Sequence, residues 1–169
     1  ITPDQLNGWN EGFFSFCESN NIPIFVHCTS NGFESVEGYG RLMADPVHWR
    51  PVLRKHPTLR LCFGHSGGEG GWFDAQGEGN LGTNYSAEVV RLCEQFPNVY
   101  CEAAYLDPIL TDSGLRRFQT NLVHVLKQHP SLSKKLMYGT DWHMLTQEDK
   151  HPHYLRQFNA VFDHTALAP

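Results

Sequence analysis

LRLCFGHSGG, residues 59–68, runs through apolar and β-prone side chains, reaches a titratable group at His65 and breaks on Gly67 and Gly68. A strand that ends on a histidine could be an accident of composition. The same arrangement recurs, however: IPIFVHC reaches His27, NVYCEAAY carries Glu102 at the matching place, and KLMYGTDW reaches Asp141. The four positions are separated by 38, 37 and 39 residues, which is the length of one strand, one loop and one helix.

The intervening segments fill that period. Apolar groups at Leu6, Trp9, Phe13, Phe14 and Cys17 predict a leading helix over residues 4–19, with Pro3 and Asp4 suited to its first turn. IPIFVHC reads as a strand covered on both faces, because its apolar run is continuous and does not alternate. Residues 29–44 read as a long loop, and Asp45 with Pro46 opens a helix that stops at Pro57. The second strand is expected over Leu59 to Gly64, followed by a glycine-rich loop from Ser66 to about Tyr85. Ser86 is the expected cap of a helix through about Phe96, leading into the strand VYCEAA. Leu115, Phe118, Leu122, Val125 and Leu126 predict a helix of about four turns before the last strand, Lys135 to Thr140. Tyr154, Phe158 and Phe162 mark a closing helix over residues 152–163.

Strand, loop and helix repeated four times is the signature of parallel βα units, the second half, about four strands, of a TIM-like (β/α)8 barrel. Residues 1–169 form one domain on this reading, with no internal shift of composition. Parallel units cross over with one hand, so each strand delivers its C-terminal end to the same side. His27, His65, Glu102 and Asp141 are therefore expected around one region, the side on which such folds place their active sites.

The bulk composition narrows the chemistry. Thirteen basic against eighteen acidic residues, a net charge of −5, and no cluster of Lys and Arg exclude a phosphate-backbone partner. No apolar run approaches the roughly 20 residues that cross a bilayer, and no membrane association is expected. The five cysteines include no CxxC pair, and three of them fall within or at the end of predicted strands, which is the pattern of reduced, buried thiols in a cytoplasmic protein. Of the ten histidines, His48, His56, His124 and His129 lie in or beside predicted helices and are expected at the surface or half-buried.

Two imidazoles and a carboxylate, from His27, His65 and Asp141, are the ligand types favoured by zinc and related divalent ions. A metal held there makes water a nucleophile near neutral pH, with a neighbouring carboxylate or imidazole to move the proton. Such a site suits hydrolysis of an activated carbonyl, or electrophilic stabilisation of a carbanion during decarboxylation. A single histidine or aspartate at a strand end also serves as a loop-capping hydrogen bonder, and Glu102 could equally hold a neighbouring side chain.

IPIFVHC, DPVHWRPVLRKHPTLRLCFGHSGG, FPNVYCEAAY and LMYGTDWHM together resemble the C-terminal half of the amidohydrolase-related metal-dependent hydrolases, the branch that includes carboxylate decarboxylases. The resemblance covers most of residues 20–150 and is most specific at GH followed by glycines and at GTD. It implies a distorted (β/α)8 barrel in which His27 is a metal ligand on the fifth strand. It further implies that His65 on the sixth strand is a second-metal ligand or a catalytic group, and that Asp141 on the eighth binds metal, handles the proton, or does both. Trp142 and His143 would line the pocket or pack beside it.

One element of that family pattern is missing. Its members begin with a strand carrying His-x-His, whereas the only such triplet here, His151-Pro152-His153, follows the last strand in a polar segment and reads as a solvated loop. The chain, which opens on Ile1, is thus expected to be a fragment lacking the N-terminal barrel strands. Its sheet edges call for the missing half-barrel or for a second copy, as a homo-oligomer. The expected function is a metal-dependent hydrolase of a small organic substrate at a C–N or C–O bond, with Zn2+ the default ion and Mn2+ compatible with the same ligands. Alternatives are a metal-dependent non-oxidative decarboxylase, an inactive fragment or oligomer-forming domain, and a flavodoxin-like module using Gly67, Gly68, Gly70 and Gly71 on a phosphate.

Overall fold

A computed structural model describes residues 1–30, 34, 36–73 and 84–163 in full, with the backbone of residues 164 and 165. Residues 74–83 of the glycine-rich loop, and residues 31–33 and 35 of the loop before it, lie outside the described residues.

Four strands make one parallel sheet: β1 (Ile24–Thr29), β2 (Leu61–Gly67), β3 (Val99–Ala103) and β4 (Leu136–Tyr138), in the order β1-β2-β3-β4. Neighbours in space are neighbours in sequence, as they are around a (β/α)8 barrel. A doubly wound module would reverse its strand order at a switch point. No reversal occurs here, and the glycines after His65 lead into a short 3-10 turn, Glu69–Gly71, where a phosphate loop would enter a helix. The flavodoxin-like alternative is excluded on both counts.

The leading helix is two helices, α1 (Pro3–Trp9) and α2 (Glu11–Ser19), divided at Asn10. Thr2 caps α1 through the Gln5 amide while the Gln5 side chain returns to the Thr2 amide, a reciprocal box that fixes its start. The long loop contains one further turn of helix, α3 (Tyr39–Met43), opened by Gly38 in the left-handed region. Asp45 accepts from Val47 as expected, and the chain passes through a 3-10 turn into α4 (Trp49–Lys55). The cap of α5 (Tyr85–Gln95) is Asn84, whose side chain accepts from Ala87, and not Ser86. Ser86 instead lies buried and donates to the Gly68 carbonyl, tying α5 to the end of β2. Then follow α6 (Asp112–Gln128), a short α7 (Trp142–Leu145) and α8 (Tyr154–Thr165). Among the described residues no helix is long and apolar enough to cross a membrane.

The helices cover one face of the sheet only. Cys28, Phe63 and Cys101 point into that layer and are fully buried among Leu53, Val89, Phe118 and Phe158. The opposite face is open. Phe25 is 61% exposed on β1 and Met137 36% exposed on β4, so the expectation that β1 is covered on both faces fails. The continuous apolar run of IPIFVHC records the chemistry of both faces, and does not tell what lies over them. All five cysteines are free and buried.

His56 also departs from expectation. It is 4% exposed at the end of α4, with Glu18 and Glu11 of α2 at its two ring nitrogens.

Gly67, at φ +86°, lies against the start of α5, where an added Cβ would stand 2.4 Å from the Ser86 amide nitrogen. Backbone cannot swing aside as a side-chain tip does. Gly67→Ala is expected to cost about 2 kcal/mol or more, from the left-handed φ and the overlap together, read as a lowered denaturant midpoint. An unchanged midpoint would show that β2 and α5 do not pack this closely.

Candidate active site

The rim at the C-terminal ends of the strands is built from backbone that most residues avoid. His65 (φ 59°), Ser66 (φ 49°), Tyr105 (φ 49°) and Asp141 (φ 44°) all have positive φ without being glycine; the first two lie in the last three residues of β2 and the others two and three residues beyond β3 and β4. Each such residue costs of order 1–3 kcal/mol and persists where the surrounding structure imposes it.

At His65 the effect on direction is plain. Strict alternation would send its side chain with Leu61 and Phe63 into the helical layer. The left-handed turn, with the register irregularity between His27 and Thr29 on β1, carries it instead to the rim beside His27. The two imidazoles meet edge to face with ring centroids 4.9 Å apart. His65 Nδ1 lies 3.0 Å from the Ala104 carbonyl, which can only accept, so in the neutral ring Nδ1 carries the proton and Nε2 keeps its lone pair. That free Nε2 stands 3.9 Å from Asp141 Oδ2.

Asp141 is held at the first residue before α7, where the Met144 and Leu145 amides bond to its carbonyl. His27 comes from β1, on the open face, and its ring makes no hydrogen bond among the described residues. Burial, and then the neighbouring His65, hold its pKa below the ordinary histidine value, while Asp141 opposes them weakly. Both effects favour the neutral ring, the form that binds metal.

These three residues border a cavity of about 360 Å3, completed by Thr29, Ser30, Glu69, Tyr105, Leu106 and Met144. Reading the sequence had not singled out Tyr105, Glu69 or Met144. Tyr105 donates to Glu148 at 2.8 Å, and Leu106 is fixed by its amide bonding the Tyr154 hydroxyl at 2.9 Å. The signal for Tyr105 was available, since it closes EAAY at the end of the third strand as His65 closes the second. Trp142 is 71% exposed and, like His143, borders none of the cavities described for this rim.

Glu102 also reaches this region. It borders a second cavity of about 330 Å3 on the open face, shared with His27, His65, Asp141, Gly64 and Phe25. Burial and the nearby Asp141 raise its pKa, against a lowering by His65. His151 and His153 lie exposed in a 3-10 turn, as a solvated segment would.

The donors fit a divalent ion in type: two imidazoles, at least one presenting a bare nitrogen, and a carboxylate. Neither cavity is bordered by a Lys or Arg among the described residues, so nothing else offsets the carboxylates. Their spacing is looser than ligation requires. Bonds of about 2.1 Å in a tetrahedral site set neighbouring donors roughly 3.4 Å apart, against 3.9 Å between His65 and Asp141. Among the described residues no group of three or more His, Cys, Asp and Glu side chains is arranged to hold a metal ion.

No curated protein and no solved structure matches the chain. A family model described as amidohydrolase matches residues 2–168, almost the whole length and every strand of the sheet. With the parallel α/β sheet, that match places this chain in the amidohydrolase family.

Proposed function

We propose that the protein is a metal-dependent hydrolase of a small organic substrate, cleaving a C–N or C–O bond, and that His27, His65 and Asp141 are its share of the metal and catalytic site. The observation that carries the reading is the His65 ring, whose Nδ1 is tied to the Ala104 carbonyl while its bare Nε2 faces Asp141 across the cavity. An orienting bond on the far nitrogen is how a ligand or proton-carrying histidine is held in one tautomer. His27 and Asp141 are the residues that would hold the ion, with His65 as a further ligand or as the proton carrier. A bound Zn2+ or Mn2+ would supply the acidity that makes water a nucleophile near neutral pH. Asp141, 3.9 Å from Nε2, would exchange a proton with His65 through one intervening water, which it would also orient.

Three donors leave the coordination incomplete, and the sheet leaves Phe25 and Met137 uncovered. Both facts support a closed barrel in which further strands, from the rest of the protein or from a second copy, cover the open face and add donors. Reduced, buried thiols support a cytoplasmic setting.

Metal analysis of the protein after loading with Zn2+ and desalting tests the reading. Retention of one ion per chain is expected, with that retention lost in His27→Ala and in Asp141→Asn. Equal metal content in the original and both variants would refute these residues as ligands.

A further inference from the structure

Glu69 borders the same cavity as His27, His65 and Asp141, and the reading above gives it no part. Its place is fixed by backbone. β2 ends on Gly67, Gly68 follows at φ +86°, and Glu69 opens the 3-10 turn Glu69–Gly71. The Glu69 carbonyl accepts from the Trp72 amide at 2.9 Å and the Phe73 amide at 3.2 Å, and the buried Trp72 indole donates to the Ser66 carbonyl. Asp107 opens the corresponding turn after β3, Asp107–Leu110, directly behind the Leu106 amide that the Tyr154 hydroxyl holds.

These two turns, at the ends of adjacent strands, bring the Glu69 and Asp107 carboxyl groups into a hydrogen bond with each other. Carboxylates only accept, so that bond exists when one of the pair keeps a proton. Glu69 keeps it. Withdrawal from water, and then the bond to Asp107 and the Asp107 charge, raise its carboxyl from 4.5 to about 8. The other groups around the pair are engaged elsewhere. Tyr105 donates to Glu148, and His65 bonds to the Ala104 carbonyl and faces Asp141. Arg117 of α6 reaches the Phe73 carbonyl at 3.5 Å and, among the described residues, pairs with neither acid. One cavity thus holds a group that accepts a proton, at His65 and Asp141, and a group that carries one, at Glu69.

We propose that Glu69 is the general acid of this site, giving its proton to the nitrogen or oxygen that leaves the substrate, and that Asp107 is the positioning residue that holds the proton on it. This rests on the hydrolase reading above. The water oxygen bonds to the carbonyl carbon as one of its protons passes to His65 or Asp141. The C–N or C–O bond then breaks, its electron pair goes to the leaving atom, and that atom takes the Glu69 proton. A carboxylic acid and an amine or alcohol result. Glu69 is exposed as a residue, so solvent restores its proton, and the base returns its own to solvent.

Two measurements test it. In infrared difference spectra, a carboxylic acid C=O band of the unsubstituted protein should disappear with a midpoint near 8. The band should be missing in Glu69→Gln, and in Asp107→Asn its midpoint should fall by about one unit or more, because the new amide donates to the ionised form of Glu69. With Zn2+-loaded protein, Glu69→Gln should slow ethyl acetate hydrolysis about 10^2-fold or more. It should raise the preference for 4-nitrophenyl acetate, whose leaving group departs without a proton, by a similar factor, and thermal melts report that both variants are folded. Absence of an acid band that depends on Glu69, or an equal effect of Glu69→Gln on both esters, would overturn the proposal and leave the hydrolase reading standing. An unmoved midpoint in Asp107→Asn would remove Asp107 from its role. Turnover of neither ester by the unsubstituted protein would overturn both the proposal and the reading on which it rests.

Discussion

His65→Asn is expected to lower kcat by about 10^2- to 10^4-fold while leaving the protein folded, the range attributed to a positioned proton carrier. Asparagine is chosen for two reasons found at that residue. His65 has φ 59°, and asparagine is among the side chains that tolerate the left-handed region best. Its amide NH2 also falls near the place of Nδ1, so the hydrogen bond to the Ala104 carbonyl is kept. What disappears is Nε2, the atom facing Asp141 and the cavity. Alanine would remove the orienting bond and load strain onto the rim as well, confusing a chemical loss with a structural one. The measurement is kcat on a substrate hydrolysed by the unsubstituted protein, beside a thermal melt in which the two should agree within a few degrees. Undiminished turnover in a folded His65→Asn protein would remove His65 from the chemistry.

The strands that carry this site were legible because each unit repeats the same local instruction: a β-prone run, a titratable residue, a break. Parallel pairing and strand order then follow from the single hand of βα crossovers. Residues that depend on a neighbour distant in sequence were not legible. Ser86 is as good a cap as Asn84 by type, but its hydroxyl is taken by the Gly68 carbonyl, eighteen residues earlier, and Asn84 caps the helix instead. The break at Asn10 is hidden because the apolar spacing of Leu6, Trp9, Phe13 and Phe14 continues across it. The direction of His65 is the clearest case. Its position in the sequence places it at a strand end, but alternation sends it to the wrong face, and no glycine or asparagine announces the left-handed turn that corrects this. Glu102 was ambiguous between two faces until the register with Met137 fixed one.

His56 gives the second large effect, on stability. Its ring sits between Glu18 Oε2 at 2.8 Å and Glu11 Oε1 at 3.1 Å, packed edge-on against Phe14, and joins the end of α4 to α2. Carboxylates only accept, so the bridge is complete when the ring carries both protons. Glu18 also accepts from the Thr58 amide at 2.9 Å and hydroxyl at 2.7 Å, which fixes the turn into β2. Those Thr58 bonds, and then His56, bring the Glu18 carboxyl down from its ordinary 4.5 to about 2. A carboxyl whose pKa is depressed by folding adds stability that is full above about pH 4.5 and is lost as pH falls toward 2. His56→Ala is expected to cost about 2–4 kcal/mol, the lower part of the range for breaking a buried pair because both glutamates keep some access to water. For a chain of this size that is a fall of roughly 5–15 °C in melting temperature at neutral pH. Glu18→Gln should flatten the acid limb: its melting temperature, compared with that of the original protein, should converge as pH falls from 4.5 to 2, since protonation removes in the original what the substitution has already removed. Parallel acid limbs, with the gap between them constant down to pH 2, would show that Glu18 does not couple the strand entry to α4 through its charge.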